Sequence, residues 1–196
     1  ILGAKAEQVV DFLHTQNKKD NFNFSLQYRF SNSPGALKNQ NANINNLRFT
    51  SHYKSNNKKY ELFFLYLSNK NASSENGGLE SPSKLDSLSL NDPYELETRL
   101  GKSTTASRNP FNTNVSTGNI YTGSQLVIRQ QYDLGTKDSS VIDSVTYRVF
   151  YPRLRLQHTL SVASNSYQFT DTNVDSAKYQ LYFKKPVAAG KSINFK

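Results

Sequence analysis

The residues best able to hold a metal or move a proton in this chain are His14, His52 and His158, and they stand far apart with no cysteine among 196 residues. Ligand sets are normally recognisable by close, regular spacing, so these three predict no metal site. The stretch "DTNVDS" at 171–176 begins like a calcium loop. However, Ser176 stands where the sharp turn needs Gly, and Tyr182 stands where the twelfth position needs Glu. A polar turn is the better reading. No nucleophile elbow, phosphate loop or paired carboxylates occur, so neither a cofactor nor catalytic residues are expected. A fourth motif, Glu75, Asn76, Gly77 and Gly78, could present polar groups inside a pore. The favoured reading is a tight turn, because adjacent glycines adopt positive backbone torsions at little cost.

Cations remain. The sequence carries 24 Lys plus Arg against 15 Asp plus Glu, a formal +9 and a pI near 9.6. Interleaved aromatic and basic residues would suit a single-strand nucleic-acid platform. Against nucleic acid, the cations form no single basic block. They alternate with large apolar residues, as in "FNFSLQYRF", where Phe22, Phe24, Leu26, Tyr28 and Phe30 interleave with Asn23, Ser25, Gln27 and Arg29. Period-two alternation is the mark of a strand whose two faces meet different surroundings. The same parity places Arg48, His52 and Lys54 opposite Leu47, Phe49 and Tyr53. It also places Arg129 opposite Ile128, and Arg153 and Arg155 opposite Leu154 and Leu156.

These elements predict an all-β, antiparallel fold of seven or eight strands of about 9–13 residues, long enough to cross a bilayer at a tilt. Only 36% of the chain is hydrophobic and its mean hydropathy is −0.68, thin filling for a soluble core. A transmembrane barrel needs no such core, since its apolar side chains point outward into lipid. No apolar run is long enough for a helical span. Periodicity leaves 3–16 open between helix and strand. The strand from Tyr60 is apolar on both faces through Phe63, Leu65 and Leu67, as if covered twice. Residues 71–117 read as a long loop or partial plug, in which "DPYELETRLG" at 92–101 predicts a short helix with Asp92 as N-cap and Gly101 as stop. Beyond it, parity flips beside Pro152, which predicts a bulge or strand end there. The run 177–183 predicts a last strand. Tyr28, Phe30, Tyr53, Tyr60, Tyr66 and Tyr132 sit toward strand ends, where barrels carry interfacial aromatics.

The segments "GAKAEQVVDFLHTQN", "YRFSNSPGALKNQNANINN", "YKSNNKKYELFFLYLSNKNASSENGG", "QQYDLG" and "LRLQHTLS", in this order, resemble the putative porin family of Bacteroidetes outer membranes. The resemblance implies a single outer-membrane β-barrel domain over 1–196, a diffusion channel without assigned catalytic residues, and a strand for 3–16. It further implies that the chain is an incomplete part of the barrel, as does the ending "SINFK", which lacks a terminal aromatic. On this reading the Phe22 face meets lipid and lipopolysaccharide-type headgroups. Arg29, Arg48, His52, Lys54, Arg129, Arg153 and Arg155 then line a lumen that passes small, preferentially anionic solutes. Two other readings stay open: a non-conducting structural or docking member of an envelope complex with other envelope proteins as partners, and a soluble all-β binding module.

Overall fold

The computed structural model describes residues 7–86, 94, 96–101, 115–142, 145–172, 174–184, 186–188 and 193–195. Its framework is one antiparallel sheet in sequence order, β1 (Gln8–Lys18), β2 (Phe22–Ser33), β3 (Ala42–Lys54), β4 (Tyr60–Ser74), β5 (Thr117–Ile142), β6 (Val145–Asp171) and β7 (Ile193–Phe195). Each strand pairs with its chain neighbours, a pure meander, and the sheet is not closed. Of the segment 3–16, residues from Gln8 onward form β1, paired along its whole length with β2, and 3–6 lie outside the described residues.

Short turns close one end of the sheet. Lys19 and Lys58 supply the positive φ values, 57° and 58°, that let the chain reverse there. Past this end the β5–β6 hairpin continues alone: Tyr60 at the start of β4 lies opposite Tyr132, and β5 runs on to Ile142. The register shifts at Leu134/Gly135, because Gly135 pairs with Pro152 and Leu134 with Leu154, leaving Arg153 as the extra residue. That bulge is the parity flip read from the sequence. By restoring phase, it keeps Val149 and Tyr151 on the same face as Leu154 and Leu156.

The other end carries the packed core. There the β2–β3 connection (34–41), the described parts of the β4–β5 connection and helix α1 (Ser176–Phe183) fold together over Ala72, Leu79, Leu96, Leu100 and Val174, the buried apolar residues. Two expectations are corrected in this cap. Residues 96–101 are not helical: Thr98 bridges antiparallel to Leu79, and Arg99 and Leu100 donate their amides to the carbonyls of Gly78 and Asn76 at 2.9 Å. The expected N-cap Asp92, with Pro93 and Glu95, lies outside the described residues. The run read as a last strand is α1 instead. Asp175 caps it by accepting from the amides of Ala177 (3.1 Å) and Lys178 (3.3 Å), and Lys184 ends it in the left-handed region. The described cap also holds a short 3-10 helix, Pro82–Asp86, and Tyr94 in 3-10 conformation.

Candidate functional site

Register fixes which side chains share a face, since directly paired residues in an antiparallel sheet point the same way. The pairing Leu26, Phe49, Tyr66, Leu126, Val162 defines one row of an apolar face. Along the strands this face reads Phe22 to Phe30 on β2, Leu47 to Tyr53 on β3, Tyr60 to Tyr66 on β4, Leu126 to Leu134 on β5 and Leu154 to Val162 on β6. Beyond these limits toward the cap it turns polar, at Asn43 and Asn45, Ser68 and Lys70, Thr122 and Ser124, Ser164 and Ser166. The apolar stretch is therefore bounded on its cap side, and between these limits it measures about 20–27 Å along a strand at ~3.4 Å per residue; on β6 the face continues past Leu154 through Tyr151 and Val149. Residues within it are open to the surroundings, Leu160 by 44% and Val162 by 54%, whereas Val174 in the cap is 1% exposed.

The band climbs across the sheet. Its cap-side edge on β2 is Phe30, but on β6 it is Val162, which is in register with Leu26, so the edge slips 30 − 26 = 4 residues over four strand-to-strand steps. Four rises of ~3.4 Å across four spacings of ~4.8 Å correspond to strands tilted by roughly 35° to the normal of a flat slab. Barrel strands tilt by about 35–45°. When heights are corrected for this slip, the face shows two aromatic rows. Phe22, Tyr53, Tyr60 and Tyr132 edge the band on the short-turn side, and Tyr28, Phe30 and Tyr66 on the cap side. The Tyr53 and Tyr60 rings lie 6.4 Å apart. Tyr28 and Tyr60 donate their hydroxyls to Asn45 (3.0 Å) and Gln130 (3.1 Å), apolar bodies with anchored polar tips. Between the rows, Phe24, Phe49 and Phe64 form a ring ladder at 6.4 and 5.8 Å.

Six of the seven cationic residues singled out from sequence, Arg29, Arg48, His52, Lys54, Arg129 and Arg155, share the opposite, polar face. Arg153 does not, being the bulged residue. The six are not equivalent. Asp133 accepts two hydrogen bonds from Arg155 at 2.8 and 3.0 Å. Glu61 lies 2.8 Å from the His52 ring, and Asp11 stands 3.9 Å from Arg29. Among the described residues, Arg48, Lys54 and Arg129 have no ion-pair partner on this face. Arg129 instead lies over the Phe63 ring, 4.5 Å from its centroid, and His52 stacks beside the same ring at 4.4 Å and 15°. Phe63 thus holds a guanidinium and an imidazole in place, a role that its misfit with the polar parity could have signalled. The carboxylates Asp11, Glu61 and Asp133 were legible by the same parity and temper the positive charge of this face.

His14 and His158 fall on the apolar face by register, His14 against the Phe24 ring at 5.6 Å. The "DTNVDS" stretch is accounted for by its neighbours. Asp171 accepts from Thr117 (3.0 Å) and Tyr179 (2.8 Å), and Asp175 caps α1. Glu75, Asn76, Gly77 and Gly78 form a tight turn with φ of 65° and 88° at the glycines. Asn76 Oδ1 accepts from the Gly78 amide, its Nδ2 donates to the Lys38 carbonyl, and Glu75 accepts from Asn119 at 2.7 Å.

A family model described as "Putative porin" matches residues 2–194. The chain belongs to the putative porin family. An open meander with a tilted, exposed apolar band and a charged reverse face fits a section of an outer-membrane porin barrel. No curated protein and no solved structure matches this porin-family chain.

Proposed function

We propose that the sheet is the wall of an outer-membrane diffusion channel. In this reading the apolar band meets membrane lipid, with Lys18 and Lys70 toward anionic headgroups, and the polar face lines a water-filled lumen for small hydrophilic solutes. The observation that carries it is the slipped band between two aromatic rows: a soluble module has no reason to bound its exposed apolar surface by a slab. Anion preference follows from the polar face at the height of the band, where five cations (Arg29, Arg48, Lys54, Arg129, Arg155) outnumber three carboxylates (Asp11, Glu61, Asp133). Arg48 and Arg129 matter most, because they stand near mid-height without a carboxylate partner.

Ion conductance of the detergent-purified full-length protein in a planar bilayer tests this, with the reversal potential read under a salt gradient. Discrete steps with anion preference are expected. Cation-selective steps would remove the role given to the arginines. A second reading draws on the cap packed at one mouth: a barrel closed by it would be a structural or docking component of the envelope. Stable insertion without steps, together with stoichiometric envelope partners on purification, would favour that reading.

A further inference from the structure

The polar face carries an apolar run, Phe63, Leu65 and Leu67 of β4, with Val127 in register beside Leu65, and Val9 and Leu13 of β1 also lie on it. In a lumen wall this run is an anomaly, since every side chain there faces water. Its flanks are cationic: Leu67 pairs with Arg48 on β3, and Phe63 with Arg129 on β5. A recess of about 210 Å³ lies at its cap-side end, walled by Gln27, Arg29, Asn46, Arg48, Leu67 and Asn69.

We propose that this recess and run form a binding track for a small carboxylate with an apolar body. The assignment rests on the polar face being accessible to solute, as in the channel reading above. Two guanidinium groups in one recess match a carboxylate, which accepts paired hydrogen bonds from planar N–H forks. Arg48 is free of ion pairs among the described residues, and the contact of Arg29 with Asp11 is long, with both side chains near half exposure (57% and 42%). The Leu67 and Leu65 side chains then offer the solute's hydrocarbon a dry floor, and Phe63 beneath Arg129 repeats the pairing of apolar surface with cation further along. Inorganic phosphate has the charge but no use for that floor. A neutral sugar has no use for the guanidinium groups.

The full-length protein in phosphatidylcholine bilayer discs is titrated calorimetrically with benzoate, acetate, benzamide and inorganic phosphate. Benzoate should bind saturably and tighter than the other three. Arg48→Gln should weaken benzoate roughly three- to tenfold, and Leu67→Asn should weaken benzoate while leaving acetate unchanged. Arg48→Lys, which keeps the charge but not the fork, should fall between wild type and Arg48→Gln and guards against a misfolded variant. Equal binding of acetate or phosphate, equal binding of benzamide, or indifference to both Arg48 substitutions would overturn the proposal. Bilayer conductance is read separately: binding without conduction would sink the channel reading and leave the carboxylate track standing.

Discussion

The apolar band and the cap use similar residues in opposite ways. On the band, Leu156, Leu160 and Val162 remain open although they are large and aliphatic. In the cap, Leu79, Leu96, Leu100 and Val174 are enclosed by chain. A soluble protein cannot tolerate the first arrangement over a whole sheet face, and a bilayer has no need of the second. On the channel-wall reading, the difference teaches that this chain is built for two solvents: strand pairing and lipid hold the wall, and ordinary close packing holds the end.

The most forceful way to break that contrast is to charge one face and then the other at adjacent positions of β5. Ile128→Arg places a guanidinium near the middle of the band and should cost about 2–4 kcal/mol in lipid vesicles, or block insertion. Val127→Arg, one residue away on the polar face, should insert normally. Reversible unfolding from vesicles reads both. Equal penalties would mean that the two faces do not differ in surroundings.

A cavity in the cap should act differently. Leu96→Ala removes a side chain only 6% exposed and should loosen the cap by roughly 2–3 kcal/mol. Hydrogen exchange is expected to rise over 34–41, 75–80 and 96–101 while the paired amides of β2–β5 stay protected. Exchange rising along the whole sheet would show that the cap supports the wall and is not a separate unit.

Smaller still are the changes that rank the polar-face cations. Arg48→Gln and Arg129→Gln together should move the reversal potential clearly toward cations. The double change Asp133→Asn with Arg155→Gln removes a matched pair and should leave it almost unmoved. A shift of similar size from both doubles would mean that pairing on the polar face does not decide which cations are felt.

Much of the wall was legible because a strand's period of two writes its faces directly into the sequence. Even the bulge at Gly135 and Pro152 appeared as a change of phase. The cap was not legible, and the reason is physical: it is held by contacts between distant segments. Asn39 donates to Thr98 and to the Leu100 carbonyl at 3.2 Å, Lys38 meets Glu97 at 3.4 Å, and Lys178 meets Glu80 at 2.7 Å. Helix α1 misled because Ala177, Tyr179, Leu181 and Phe183 alternate as a strand would, while its signal lay in the cap residue Asp175. On the polar face, parity located five cations and His52 but could not tell which of them a carboxylate already holds. Nor could it show why Phe63 sits among them.

The same α1 supplies the mildest test of the contrast. Tyr179 donates its hydroxyl to the buried Asp171 at 2.8 Å. Burial, then this hydrogen bond and the neighbouring carboxylate charge, push the Tyr179 hydroxyl well above the ordinary tyrosine range. The folded cap therefore keeps its proton at pH values where an unfolded tyrosine, with pKa of about 10, has lost it. Unfolding then releases a proton, so the contribution of Tyr179 is complete below about pH 10 and declines as the pH rises further. Tyr179→Phe should cost roughly 1 kcal/mol of cap stability at neutral pH and reduce its decline above pH 10, read by exchange or proteolysis at 174–184. Because Tyr179 lies outside the band, the midpoint for extracting the sheet from lipid should be the same in both proteins. If that midpoint moved with Tyr179→Phe, cap and wall would form a single cooperative unit despite their different surroundings.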